Sequence, residues 1–321
     1  MQSFLEALNT RPMFFDGAMG TLLQSRGLSP GELPESWNIT HPEVLRDIHR
    51  AYRAAGADIL LANTFGANRY KLEDWAPRSA ELIAAGVRLA KEAAENCAWV
   101  ALDIGSTGKL LKPYGDLDFE DAYAAYAEQI EAGTAAGADL IVIETMSDIY
   151  ETKAALLAAK EHSTLPVLVS LTFDESGKLL TGADIPAAAA VVEGLGANVI
   201  GLNCGLGPKT DAGSAAAAAR SVLPFPSLSA PMPGCPVVVE GPDLPILVEP
   251  EDFAADCRRS AGGRRAIVGA AAAPRRSIFS AWCAPAAAVL SYRRPRTGIR
   301  WPPLTPIPQS LAAPPSSSVN D

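Results

Sequence analysis

The 321-residue chain is 48% hydrophobic with a formal net charge of -9, enough for one large domain or two small ones with a real core. The acidic balance argues against general nucleic-acid binding, which needs a basic stripe, and no run of about 18 apolar residues signals a membrane span. Residues 1–10 lack a basic stretch ahead of an apolar one and five cysteines in a chain this long make no disulfide framework, so a reducing, cytoplasmic setting is expected.

Short apolar runs predict strands at residues 13–15, 58–61, 99–102, 140–143, 167–171 and 199–202. Between them, amphipathic patterns predict helices at 42–55, 80–95, 119–136 and 149–161. Two helices end in Ala-Gly-Ala-Asp, at Ala55 to Asp58 and Ala136 to Asp139, and a third junction reads Gly194-Leu195-Gly196-Ala197-Asn198. Glycine there supplies a left-handed helix stop before the next strand. Strands apolar on both faces belong to a parallel sheet covered by helices. Six evenly spaced units, with room for two more, fit an α/β protein of the (β/α)8 TIM-barrel class. A doubly wound open sheet is the alternative, weakened by the absence of a phosphate-binding G-x-G-x-x-G after the first strand.

Beyond Pro208 alanine runs, Pro-Arg pairs and Ser-Pro clusters replace the alternation. The expected organisation is a barrel over residues 1–279, its C-terminal β/α units disrupted, and a low-complexity, disordered tail over 280–321.

In a β/α barrel the chemistry sits at the carboxyl ends of the strands. Those ends are polar here: Asp16-Gly17-Ala18-Met19-Gly20-Thr21, Ala62-Asn63-Thr64-Phe65, Asp103-Ile104-Gly105-Ser106-Thr107, Glu144-Thr145-Met146 and Asn203-Cys204-Gly205. Each acid alone could merely cap the next helix. Together they ring one mouth with carboxylates, hydroxyls and a thiol.

These motifs, with Thr107-Gly108-Lys109-Leu110-Leu111, resemble the homocysteine S-methyltransferase family, over about residues 12–269. The family includes the first module of cobalamin-dependent methionine synthase. The resemblance implies zinc-dependent methyl transfer to the thiol of homocysteine, giving methionine. It implies Asp16, Gly17, Ala18, Met19, Thr64 and Glu144 as substrate-binding residues, with Asp16 and Glu144 on the substrate's ammonium group, and Cys204 as a zinc ligand. Zinc lowers the pKa of the bound thiol, so no side chain need act as a catalytic base. The partners implied are homocysteine and a methyl donor. Cobalamin or folate would enter only as donor, on other modules.

The family's second and third zinc cysteines are an adjacent pair after strand eight, in a Gly-Gly-Cys-Cys-Gly-Thr-Thr-Pro-Glu-His run. Here Ala266-Ile267-Val268-Gly269 leads into Ala270-Ala271-Ala272-Ala273-Pro274-Arg275-Arg276-Ser277-Ile278-Phe279. Read from the third base of the Ala270 codon, permitted codons spell Cys-Cys-Gly-Thr-Thr-Pro-Glu-His-Ile. Residues 227–236 and 210–219 also yield family-like segments in shifted frames. A base loss in the coding DNA is the economical inference, and Arg275 and Arg276 are then frame artefacts rather than a basic patch. The chain as written is expected to bind zinc poorly and to transfer no methyl group. The alternatives are a nonfunctional frameshifted product, or a barrel lyase or aldolase with Glu144 as base.

Overall fold

The computed structural model describes residues 3–11, 13–174, 176–204, 227–230 and 266–270. The chain divides into two units, Met1–Leu290 and Ser291–Asp321; the second lies wholly outside the described residues. The expected tail over 280–321 lies outside them too, as do residues 205–226 and 231–265 between the last three strands.

Five β/α repeats and a sixth strand form most of the described body. Helix α1 (Phe4–Leu8) precedes β1 (Met13–Gly17), followed by α2 (Met19–Ser25), α3 (Trp37–Thr40), α4 (Pro42–Ala55) and β2 (Ile59–Leu61). Then come α5 (Ser79–Ala94), β3 (Trp99–Ile104), α6 (Phe119–Ala135), β4 (Leu140–Met146), α7 (Ile149–His162), β5 (Val167–Leu171), α8 (Ile185–Gly194) and β6 (Val199–Asn203). Strands β7 (Ser227–Ala230) and β8 (Ala266–Ala270) follow. All pairings are parallel and in chain order, and β8 pairs with β1, so the hydrogen-bonded order closes on itself. The sheet is the parallel, helix-covered α/β sheet expected.

The apolar side chains sort onto two faces. Met13, Phe15, Ile59, Trp99, Ala101, Leu140, Val142, Leu168, Val199 and Ile267 pack together inside the curled sheet. Their alternates, such as Val100, Leu102, Ile104, Ile141 and Ile143, pack outward with the helices. This is the period-two alternation of a strand buried on both faces. Helix α1 plugs the amino-terminal end: Phe4, Ala7 and Leu8 join the inner cluster, and Phe4 meets Trp99 edge-on at 6.0 Å. Its Ser3 and Glu6 form a reciprocal capping box.

A repeated device sets the register. Gly56, Gly137 and Gly196 take the left-handed conformation that stops the preceding helix. Two residues on, a carboxylate or amide clips back to the strand before: Phe14 N donates to Asp58 at 3.0 Å, Val100 N to Asp139 at 2.7 Å and Val167 N to Asn198 at 2.8 Å. The backbone amides of Asp58, Asp139 and Asn198 return bonds of 2.8 Å to the carbonyls of the same three residues. The Ala-Gly-Ala-Asp and Gly-Ala-Asn signatures thus lock β1 to β2, β3 to β4 and β5 to β6. Among the described residues, no helix is long and apolar enough to cross a membrane.

Candidate active site

The inner face that is apolar at the bottom of the sheet turns acidic at the carboxyl ends. On β3, Trp99 and Ala101 face inward, so alternation turns Asp103 inward one layer higher. On β4, Leu140 and Val142 do the same for Glu144. Asp16 closes β1, where the register to β8 shifts between Phe14 and Gly17.

Asp16 is buried, and its Oδ2 accepts a 3.0 Å bond from Leu61 N. Its Oδ1 has no hydrogen-bond partner among the described residues. Burial raises its pKa well above the ordinary carboxylate value; the Leu61 amide pulls the other way, and the charge of Glu144 adds to the rise. Asp103 is buried, with Oδ1 likewise lacking a partner. Burial, then Glu144, Asp16 and Glu35, push its pKa well up. Glu144, half-buried, is raised to about 7 by burial. Glu144 therefore meets neutral pH partly protonated, a state that a bound cation would reverse.

Behind Asp16 stands α4. The fully buried ring of His49 places Nδ1 3.9 Å from Asp16 Oδ2, and neither ring nitrogen has a hydrogen-bond partner among the described residues. Burial lowers its pKa to about 4, so the ring is neutral. Tyr52 donates to the carbonyl of Ala18 at 3.3 Å. Its ring also explains Gly17, because a Cβ there would come within 2.8 Å of the Tyr52 hydroxyl. Ala18 caps α2 and Met19 opens it, packing on the outer core.

Thr64 is fully buried and clamps Asp103 by the backbone: its hydroxyl donates to Asp103 O at 2.8 Å and accepts from Asp103 N at 3.1 Å. Glu35 Oε1 accepts from Gly66 N at 2.6 Å in the loop after β2. Glu151 of α7 accepts from Thr107 N and Thr107 Oγ1, each at 2.6 Å, and from the Tyr126 hydroxyl at 2.9 Å. It thereby fixes the loop after β3.

On the far side, Asn203 knits three strand ends. Its Nδ2 donates to Thr145 Oγ1 at 2.7 Å and its Oδ1 accepts from Ser170 Oγ at 3.1 Å. Cys204 follows at φ 53°, with Thr145 at φ 59°. Non-glycine residues held in this left-handed region gather at functional sites. Asn203 Nδ2 also reaches Cys204 Sγ at 3.6 Å.

The sequence-predicted Asp16, Gly17, Ala18, Met19, Thr64, Glu144 and Cys204 all stand at this carboxyl end. Asp103 was legible only as a polar strand end, and His49, inside an amphipathic helix, gave no cue.

Zinc needs at least three protein ligands at a catalytic site. Among the described residues, no group of three or more His, Cys, Asp or Glu side chains converges to hold a metal ion. Cys97, exposed, lies just before β3 at the opposite end of that strand. Cys235, Cys257 and Cys283 lie outside the described residues. After β8 the sequence continues Ala271-Ala272-Ala273 without a thiol. The donor set among the described residues does not fit zinc.

Comparison with known proteins defines the class. A family model for homocysteine S-methyltransferase matches residues 13–272. The chain belongs to that family and carries its methyltransferase domain. The methionine synthases of Mycobacterium leprae and Mycobacterium tuberculosis are each 36% identical over 223 residues, 64% of this chain. The match covers only 18% and 19% of those proteins, so the chain spans about a fifth of their length. In fold, the metallated form of the homocysteine methyltransferase MmuM from Escherichia coli superposes with a TM-score of 0.72 at 22% identity, covering 87% of this chain and 98% of that one. Its oxidised form gives the same TM-score over 85% and 95%.

Proposed function

We propose that the acidic mouth binds homocysteine through its ammonium group, as the substrate half of a methyl transfer that yields methionine. The observation that carries this reading is the buried Asp16 Oδ1, without a hydrogen-bond partner among the described residues, beside a Glu144 whose pKa is held near 7. A buried carboxyl oxygen without a donor is costly, and an ammonium group supplies both donors and the opposite charge. Gly17, Ala18 and Met19 shape the wall beside Asp16, and Thr64 acts through the backbone of Asp103. The architecture behind the site is read as a barrel of the (β/α)8 class, its strands closing β8 onto β1. The setting is cytoplasmic, and the methyl donor, cobalamin- or folate-borne, is presented by other modules, as the longer relatives named methionine synthase suggest.

Cys204 is the first of three thiolates that would hold zinc in an intact member of the family; zinc would supply a substrate thiolate at neutral pH. The other two are absent from the written frame. Reading one frame over after β8 restores Cys-Cys at the end of the strand next to β1, on the ring that also carries Cys204. This supports a base loss in the coding DNA.

Metal analysis tests the reading. The chain as written should retain far less than one equivalent of zinc after gel filtration. A chain made in the restored frame from Ala270 onward should retain about one equivalent and form methionine. A full, tight equivalent on the written chain would overturn the account of the metal half. A restored-frame chain that neither holds zinc nor methylates homocysteine would overturn the frame proposal.

A further inference from the structure

We propose that Asp103 is a third substrate-contacting carboxylate, accepting one N–H of the homocysteine ammonium group between Asp16 and Glu144. The inference rests on the reading of the mouth as a homocysteine site and extends it to a residue outside the expected set.

Placement is the first support. The alternation of β3 sets Asp103 inward, above Trp99 and Ala101. Its register partner on β4 is Val142, and Glu144 is the next inward residue on that strand. Two carboxylates on adjacent strands, offset by one inward layer, have Cα atoms about 8 Å apart, a span a small cation can bridge. Like-charge repulsion reaches Asp103 from Glu144, then Asp16 and Glu35, so acids lie near it on more than one side.

The second support is an absence of partners. Asp103 is only 7% exposed, yet Oδ1 accepts no hydrogen bond among the described residues. The same holds for Asp16 Oδ1. Buried acceptors are nearly always satisfied, so an unpartnered one calls for a donor from a ligand, an ion or a water. An ammonium group has three donors in a fixed tripod, and the mouth offers three carboxyls. Asp103 is also braced as a contact residue must be: Thr64 grips its backbone amide and carbonyl at once. Just beyond, Gly105 lies so close to Phe65 that a Cβ would come within 2.5 Å of its ring. These contacts hold the strand end in place without touching the carboxyl oxygens.

The test compares two ligands by calorimetry at pH 8 under reducing conditions: L-homocysteine, and 4-sulfanylbutanoate, which keeps the thiol and carboxylate but lacks the ammonium group. Asp103→Asn should weaken L-homocysteine binding roughly 10- to 100-fold, the effect of losing one charge-assisted bond. It should change 4-sulfanylbutanoate binding by less than about twofold on the same principle. Equal weakening of both ligands would show a structural role and overturn the proposal. Unchanged L-homocysteine binding would also overturn it while leaving the homocysteine reading intact. If the wild-type protein binds no L-homocysteine, the homocysteine reading fails and the proposal falls with it. Should Asp103→Asn fail to fold, wild-type protein carrying 13C-labelled aspartate answers instead. The Asp103 carboxyl resonance should move with L-homocysteine and not with the analogue. A resonance that ignores both, or moves equally with both, would overturn the proposal.

Discussion

Glu144 is subject to two opposing demands. In the proposed function it is a charged partner for an ammonium group, yet it sits where burial favours the neutral acid and lifts its pKa to about 7. The folded value is raised above the unfolded one, near 4.5. The folded state therefore binds the extra proton between these values, and the Glu144 contribution to stability falls as pH rises through 7. A Glu144→Gln variant, neutral at every pH, should match the wild type near pH 4.5 and exceed it at pH 8 by on the order of 3 kcal/mol, read by urea unfolding. His49, lowered to about 4, has the opposite slope, losing stability as pH falls below 6.5, but it is common to both proteins and cancels. Identical unfolding curves at both pH values would show that Glu144 is not held neutral by its surroundings. The same shift has a binding consequence: a cation that ionises Glu144 expels its proton, so L-homocysteine affinity should rise with pH up to about 7 and then level off. Calorimetry in buffers of differing ionisation enthalpy would register that proton release, and an affinity independent of pH would contradict it.

At the scale of elements, the clip between helix stop and strand start bears on both stability and legibility. Asp139 accepts from Val100 N at 2.7 Å and pairs with Lys91 Nζ at 2.6 Å. Asp139→Ala should cost about 1–3 kcal/mol by leaving the Val100 amide unpaired. Asp139→Asn should cost less, because Asn198 performs the same task with an amide oxygen at the equivalent junction. Equal losses in thermal unfolding would mean that the Lys91 pair, not the clip, matters there. The four predicted helices are α4, α5, α6 and α7 to within a residue at each end. The Gly stops made the carboxyl ends of α4 and α6 visible. Strand starts were equally clear, but several strand ends were read short. β1 runs to Gly17, β3 to Ile104, β4 to Met146 and β6 to Asn203. Each extension adds polar residues, Asp16, Asp103, Glu144 and Asn203 among them, and hydrophobic periodicity cannot see a ladder that continues through a polar site. Helix α1 escaped as well, although Ser3 and Glu6 carry the S-x-x-E spacing of its capping box. Five residues are too few for a periodic pattern.

For the whole molecule, the two halves of the site differ in what the chain retains. The acid half is assembled by β1, β3 and β4, where the sequence keeps the family's order of motifs. The proposed thiolate half would depend on β6 and on the residues after β8, where the written frame supplies alanine instead of cysteine. Strand β7 forms on Ser-Leu-Ser-Ala, within the segment read as frame-shifted, so a short apolar-polar run suffices to pair between β6 and β8. A chain of this kind should hold substrate without activating its thiol. The most direct measurement is a crystal structure of the protein soaked with L-homocysteine. The account predicts its amino nitrogen within about 3 Å of Asp16 Oδ1 and of a Glu144 carboxyl oxygen. A homocysteine whose amino group points away from these carboxyls, or density for the ligand elsewhere on the protein, would contradict it.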